Sequence, residues 1–98
     1  MRIFIFAEAR EDLEQIYNFY ALQNVRAAIK IHNGILDDIE LLQSNPYIGP
    51  ILSKRGNYYI RALLCRTRKH KIIYYIVDDE IRITQIWDCR RNPQDLYF

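Results

Sequence analysis

The stretch KIIYYIVDDEIRITQIWD, residues 71–88, decides the fold of this chain. Two runs rich in isoleucine, valine and tyrosine flank Asp78-Asp79, a pattern typical of a β-hairpin with a two-residue turn. The cross-strand pairs that such a turn predicts are Val77 with Glu80, Tyr75 with Arg82, and Ile73 with Thr84. One face of the hairpin, with Ile72, Tyr74, Ile76, Ile81 and Ile83, then carries no charge, and the other mixes charged, aromatic and apolar side chains.

The residues before this hairpin predict a strand, two helices and a further strand. Residues 2–6 are a short apolar run of β-forming residues. Apolar residues then recur at helical spacing over 13–20 and over 28–42, and a Ser-Asn-Pro sequence at 44–46 ends the second helix. A strand is expected over 58–65. The predicted order is βααβββ, an α+β fold in which a helical hairpin packs on one face of a small antiparallel sheet.

Composition indicates a small cytoplasmic domain without a cofactor. The length of 98 residues fits one domain over 1–98, and 50% of the residues are hydrophobic. The apolar runs are too short to cross a bilayer, and no signal peptide is predicted. The two cysteines, Cys65 and Cys89, do not form a disulfide framework, and no Cys/His cluster suggests a metal site.

Charge is divided unevenly along the chain. Residues 1–49 carry four basic and seven acidic side chains, whereas residues 50–98 carry ten basic and five acidic ones. Seven basic residues without an acid occupy the stretch from 54 to 71: Lys54, Arg55, Arg61, Arg66, Arg68, Lys69 and Lys71. The run fits either solvated hairpin loops or a site for a polyanion, whose phosphates release counterions when they are neutralised.

Strand alternation predicts which side chains share the sheet face that the helices leave uncovered. Burying an unpaired guanidinium costs several kcal/mol, so Arg61 is expected on the uncovered face, which requires an odd-length loop near 66–69. The other residues expected on this face are Tyr59, Leu63, Cys65, Lys71, Ile73, Tyr75, Arg82, Thr84 and Ile86. Cations among aromatic rings suit single-stranded nucleic acid, although tyrosines also simply fill half-wet sheet faces.

Other notable residues favour structural roles. His70 is expected on the helix-covered face near the sheet end, together with Trp87, as a partly buried imidazole. Gly34 interrupts the second helix, which suggests a close approach of a neighbouring element. Asp88 can pair with Arg90 or Arg91, a structural use that competes with phosphate binding.

Five motifs in order extend over nearly the whole chain. They are A9xxDLxxIxxFY20, L42xxxPxxG49, YIRAL at 59–63, HKIIYY at 70–75 and IWDCRRNP at 86–93. With these motifs and the βααβββ layout, the chain resembles the RelE/ParE superfamily of toxins from type II toxin–antitoxin modules. The resemblance implies one of two activities. RelE-like members are metal-independent endoribonucleases that cut mRNA on the ribosome and arrest translation, whereas ParE-like members poison DNA gyrase.

The resemblance to RelE-like members implies a catalytic set. Their basic residues on the second and third strands, an arginine after the last strand and a tyrosine near the C-terminus fall here on Arg61, Lys71, Arg91 and Tyr97. The arginines can only stabilise charge, whereas Lys71 or Tyr97 would move the proton. The further residues expected to bind RNA are Lys54, Arg55, Arg66, Arg68, Lys69, Tyr75, Arg82 and Arg90.

The main expectation is therefore an mRNA endonuclease toxin, with a gyrase inhibitor as the alternative. Some RelE-like members have a second lysine on the second strand where this chain has Tyr59, and the Leu-x-x-x-Pro-x-x-Gly motif also occurs in ParE-like relatives. Both activities imply a cognate antitoxin, whose acidic segment would match the basic half of the chain. The uncovered face and the strand edges are the expected docking surfaces.

Overall fold

The computed structural model describes residues 1–91, which form two helices packed against one face of a five-stranded sheet. The elements are β1 (Arg2–Ile5), α1 (Ala7–Ala21), α2 (Val25–Ser44), β2 (Ile51–Arg55), β3 (Tyr58–Leu64), β4 (His70–Val77) and β5 (Glu80–Asp88). The strands lie in the order β1-β5-β4-β3-β2. The predicted α+β class with a helical hairpin is confirmed. Neither helix is long and apolar enough to span a membrane.

Two details of the predicted sheet are wrong. The sheet is mixed, because β1 pairs with β5 in parallel while the other neighbours are antiparallel. The predicted order βααβββ also lacks β2, whose residues ILSKR are exposed except for the half-buried Ser53. A strand with no buried face has no alternating apolar pattern, so the sequence offers no periodicity by which to find it.

The helices are held on the sheet by apolar side chains and by two carboxylates. The main core, between the helices and the sheet, includes Leu13 of α1 and Ile35 and Leu42 of α2. Asp12 of α1 accepts a hydrogen bond from the Ile86 amide of β5 at 3.0 Å. Asp38 of α2 accepts two from Arg66, from its amide at 2.8 Å and from its Nε at 3.0 Å. Burial raises the pKa of Asp12, against the effect of the amide.

The β4–β5 hairpin confirms the predicted turn but not the whole predicted register. Asp78 and Asp79 both have positive φ, 52° and 58°, as a two-residue type I′ turn requires. Val77 pairs with Glu80 and Tyr75 with Arg82, but Ile73 pairs with Gln85 instead of Thr84. An irregularity in β5 inserts one residue there, so the side-chain alternation of β5 reverses after Thr84.

This reversal moves two residues to the faces opposite to those predicted. Ile86 pairs with Ile72 and joins the core beneath the helices, where Asp12 contacts its amide. Trp87 pairs with Lys71 and packs with Ile73 on the uncovered face. His70 lies on the helix side as expected, but without Trp87.

The register of β3 on β4 overturns the central expectation about the cations. Arg61 pairs with Tyr74 and Leu64 pairs with Lys71, so Arg61 lies on the helix side and Lys71 on the uncovered side. Cys65, directly after β3, faces His70 and donates a hydrogen bond from its amide to the His70 carbonyl at 2.8 Å. The loop between these two facing residues therefore has four residues, 66–69. A loop with an even number of residues is accommodated for two reasons. Arg68 adopts a positive φ of 62° within it, and Arg61 finds hydrogen-bond acceptors at the edge of the core.

Tyr74, which is fully buried, fastens the chain between α2 and β2 to the sheet. Its hydroxyl accepts a hydrogen bond from the Gly49 amide at 2.9 Å and donates one to the Pro46 carbonyl at 2.9 Å. Burial raises the pKa of Tyr74, so the hydroxyl remains a donor. A Cβ at position 49 would lie 2.6 Å from this hydroxyl. Gly49 is therefore required by close approach.

The substitution Gly49→Ala is expected to lower the free energy of unfolding by about 1–3 kcal/mol, because the fixed Tyr74 ring cannot move away from the new methyl group. Urea unfolding measures the change. Gly34→Ala is the matched control, since a Cβ there would lie 3.5 Å from the Arg66 side chain, an ordinary contact. It should leave stability unchanged or raise it by up to about 1 kcal/mol. Equal losses in both variants would contradict this explanation.

Stability is also expected to fall with acidification because of His70. Burial lowers the pKa of His70 below its ordinary 6.5, the effect of Asp88 being in the opposite direction. Between about pH 7 and pH 5 the unfolded chain therefore binds the proton more readily than the folded chain does, and the free energy of unfolding decreases as pH falls. His70→Asn keeps a polar atom near Thr67, which contacts His70 Nδ1 at 3.0 Å. This variant should show a smaller pH dependence in urea unfolding, and an unchanged one would be inconsistent with a buried neutral imidazole.

Candidate functional site

Arg61, the first predicted catalytic residue, holds a loop in place. Its Nη1 donates hydrogen bonds to the Tyr47 carbonyl at 3.1 Å and to the Gly49 carbonyl at 2.9 Å. Its guanidinium also lies 5.2 Å from the centre of the Tyr47 ring, within the range of a cation–π contact. These hydrogen bonds and the cation–π contact compensate for the partial burial of the Arg61 guanidinium on the helix side of the sheet. An unpaired guanidinium in that position was predicted to be too costly.

Lys71 lies on the opposite side of the sheet, between Leu64 and Trp87 in the register of the neighbouring strands. The hydrophobic floor next to it consists of Ile60, Ile73 and Trp87, three buried side chains that form a second, smaller core. Arg61 and Lys71 thus point to different sides, and the sheet separates them. The expected gathering of both cations on one face is wrong.

The remaining cations of the uncovered face lie beside aromatic rings. Tyr75 and Arg82 are paired across β4 and β5 as predicted. Arg82 Nε donates to Glu80 at 3.0 Å, and hydrogen bonds with Tyr75 and Glu80 raise the pKa of Arg82 further. Arg91 lies with its guanidinium 4.5 Å from the centre of the Trp87 ring. Lys71 and Arg82 therefore lie on the uncovered side but at opposite ends of the hairpin, whereas Arg91 also lines a pocket with Asp12 and Phe19 of α1.

Arg90 forms an ion pair with Asp88, a pairing that the sequence suggested. Its side chain binds Asp88 through Nε at 3.0 Å and through Nη2 at 2.6 Å, and its amide also donates to Asp88. These contacts hold the pKa of Asp88 below its ordinary value. The guanidinium lies 5.1 Å from the Phe19 ring of α1, so Arg90 faces the helices rather than the uncovered side.

The cations of the β3–β4 loop also face the helices in part. Arg66 binds the buried Asp38 and lies 3.8 Å from Asp37, which ties the loop to α2. Lys69 Nζ lies 5.7 Å from the centre of the Tyr20 ring of α1. Arg68 is exposed at the tip of the loop. The basic run therefore does not form one surface, because its members diverge around the end of the sheet.

The last two expected RNA contacts lie on β2, at the far edge of the sheet. Lys54 and Arg55 are both exposed, and Lys54 Nζ lies 5.5 Å from the centre of the Tyr59 ring. Tyr59 pairs with Lys54 and follows the parity of Arg61, so it is on the helix side and not, as expected, on the uncovered face. Tyr97 lies outside the described residues.

An aromatic cluster that was not predicted from the sequence lies on the uncovered face. Phe6 contacts Phe4 edge-on, with ring centres 5.3 Å apart, and Tyr75 likewise at 6.5 Å. Tyr58 and Tyr75 lie 5.2 Å apart. The rings of Phe6, Tyr58 and Tyr75 line a groove of about 520 Å³ together with Arg55 and Gln85. The alternation of Phe4 and Phe6 with the half-buried Ile3 and Ile5 was the signal available for finding it.

The second missed feature is the segment of residues 46–52 between α2 and β2. Arg61 and Tyr74 fix its main chain, while four of its side chains, Tyr47, Ile48, Ile51 and Leu52, are exposed. Its prolines and glycine indicated only the end of a helix. Among residues 1–91, no group of three or more His, Cys, Asp or Glu side chains is placed to hold a metal ion.

Comparison with known protein families identifies the family of this chain. A family model described as the ParE toxin of the type II toxin–antitoxin system parDE matches residues 3–93. A solved structure described as the chromosomal ParDE TA system from P. aeruginosa is similar, with a TM-score of 0.76 and 23% identity over 90% of this chain and 95% of that one. No curated protein matches the chain. The structural similarity supports the fold, and the family model covers nearly the whole sequence. The chain therefore belongs to the ParE toxin family of type II toxin–antitoxin systems.

Proposed function

We propose that this toxin inhibits DNA gyrase by binding to it and does not cleave RNA. The placement of Arg61 carries this proposal, because its guanidinium is already occupied by two main-chain carbonyls on the side of the sheet opposite Lys71. The membership of the ParE family supports the same activity. Of the two activities that the RelE/ParE resemblance implies, the gyrase inhibitor is therefore preferred to the expected mRNA endonuclease.

The chemistry of RNA cleavage explains why the separation matters. Attack by a 2′-hydroxyl needs a base, an acid for the leaving oxygen and cations around the same phosphate, all within hydrogen-bond reach. Arg61 can stabilise that phosphate only by leaving the carbonyls of Tyr47 and Gly49, and its side chain would still be on the wrong side of the sheet for Lys71. Lys71 lies on the uncovered side, whereas Arg91 contacts the Trp87 ring and lines a pocket with Asp12 of α1 at the end of the sheet.

RNA cleavage remains the competing activity that an experiment must exclude. On the uncovered side Lys71 pairs with Trp87 and Arg82 pairs with Tyr75, a combination of cations and rings that also suits single-stranded RNA. Under the proposed function these cations serve electrostatic attraction of an acidic partner other than gyrase. The cognate antitoxin, which the toxin–antitoxin family implies, is one such partner, and gyrase places the site of action in the cytoplasm.

The purified toxin is expected to inhibit supercoiling by DNA gyrase, and its Lys71→Ala and Arg91→Ala variants are expected to inhibit nearly as well, because neither residue performs chemistry in this mechanism. A supercoiling assay with relaxed plasmid measures the inhibition. In cells, metabolic labelling after induction should show that DNA synthesis stops before protein synthesis does.

The same preparations are tested with programmed ribosomes and mRNA. An endonuclease would cut the mRNA and would lose about 10²-fold or more of its rate in Lys71→Ala. Cleaved mRNA together with unimpaired supercoiling would refute the proposed function and restore the RelE-like activity. Circular dichroism of both variants establishes that any loss is not a loss of fold.

A further inference from the structure

The segment of residues 46–52 displays four large apolar side chains to solvent. The exposed fractions are 63% for Tyr47, 42% for Ile48, 54% for Ile51 and 45% for Leu52. Exposed apolar side chains that stand singly need no explanation, whereas several in one short segment are typical of a protein-binding surface. No buried core needs this arrangement, because the main core lies between the helices and the sheet.

The same segment is unusually well fixed for an exposed loop. Its main chain makes four hydrogen bonds to two side chains of the sheet: Pro46 and Gly49 bind the Tyr74 hydroxyl, and Tyr47 and Gly49 bind Arg61. Pro46 and Pro50 further restrict its backbone. Fixing a loop before binding reduces the conformational entropy that is lost on association. The structure therefore holds these apolar side chains in one arrangement before a partner arrives.

The segment leads into a strand edge with a definite charge. β2 is the last strand of the sheet, and within residues 1–91 only β3 pairs with it, so its outer edge is open to another strand. Its end carries the exposed cations Lys54 and Arg55. The chain contains no aspartate or glutamate between residues 41 and 77. The surface is thus apolar at one end and basic at the other.

We infer that the 46–52 segment and the outer edge of β2 form the docking surface for the protein target, and that the bound segment of the target is extended, apolar and acidic. The inference rests on the proposed function and names the surface by which the toxin would contact gyrase. Main-chain hydrogen bonds to β2 supply affinity, and the apolar side chains and the cations supply specificity.

Charge complementarity favours an acidic segment of the target, rather than a second copy of this chain, as the bound partner. A second copy carries the same cations at this surface and no acidic residue between residues 41 and 77, so its own β2 edge offers Lys54 and Arg55 no opposite charge. An acidic partner instead gains from each of these cations. An acidic segment of the cognate antitoxin would also be attracted by these cations. The experiment therefore has to distinguish binding of the antitoxin from binding of the target.

The test measures gyrase inhibition by two toxins with changes in this surface and by two controls with changes elsewhere. Ile48→Ser combined with Leu52→Ser is expected to weaken inhibition about tenfold or more, because it removes two central apolar contacts. Lys54→Glu is expected to weaken it several-fold and to reduce its dependence on salt. The matched controls are Leu22→Ser, at a residue 89% exposed after α1, and Lys30→Glu on the exposed side of α2. Both should inhibit like the unchanged toxin.

Each protein is also tested for thermal unfolding and for binding of the cognate antitoxin. Lys54→Glu keeps the test decisive if the double variant does not fold, because its side chain is exposed. Folded variants that inhibit gyrase as well as the unchanged toxin overturn the inference, as does loss of antitoxin binding with undiminished inhibition. If the unchanged toxin itself does not inhibit gyrase, the proposed function fails and this inference fails with it. Weaker inhibition with normal folding and normal antitoxin binding supports it.

Discussion

Two side chains of the sheet, Arg61 and Tyr74, fix the main chain that leads from α2 into β2. The Tyr74 hydroxyl joins the Gly49 amide to the Pro46 carbonyl, and Arg61 binds the carbonyls of Tyr47 and Gly49. Without these bonds several polar groups at the edge of the core would lack partners, at a cost of about 1–3 kcal/mol each. The same bonds allow an arginine on the helix side of the sheet, and they place the edge strand β2. The position of the cations in this toxin follows from them.

The function that the chain supports depends on how the sheet distributes its positive charge. The sequence puts seven basic residues and no acid between positions 54 and 71, which resembles a site for RNA. In the folded chain Arg61 binds carbonyls and Arg66 binds a buried aspartate, while Lys71 faces the other side of the sheet. A charge run of this kind attracts an acidic partner as a whole, but it does not assemble cations around a single phosphate. Binding to a protein therefore explains the arrangement better than catalysis does.

Part of the fold could be read from the sequence because it rests on local patterns. The turn at Asp78-Asp79, both helices and the helix end before Pro46 were predicted from spacing and from turn residues. The irregularity near Thr84 could not be, since an inserted residue leaves the composition of β5 unchanged but reverses every side chain after it. That one insertion carried Ile86 into the core and Trp87 out of it.

The sequence by itself determined the α+β class, the two helices, the β4–β5 hairpin and the resemblance to the RelE/ParE superfamily, because each of these depends on periodicity or on short motifs. Only the tertiary structure decided the parallel pairing of β1, the existence of β2 and the side of the sheet on which Arg61 lies. The prediction for Arg61 assumed that a buried guanidinium would find no partner. The carbonyls that bind it come from a loop 12–14 residues earlier in the chain. No strand pattern reports a partner that only the folding of a distant segment supplies.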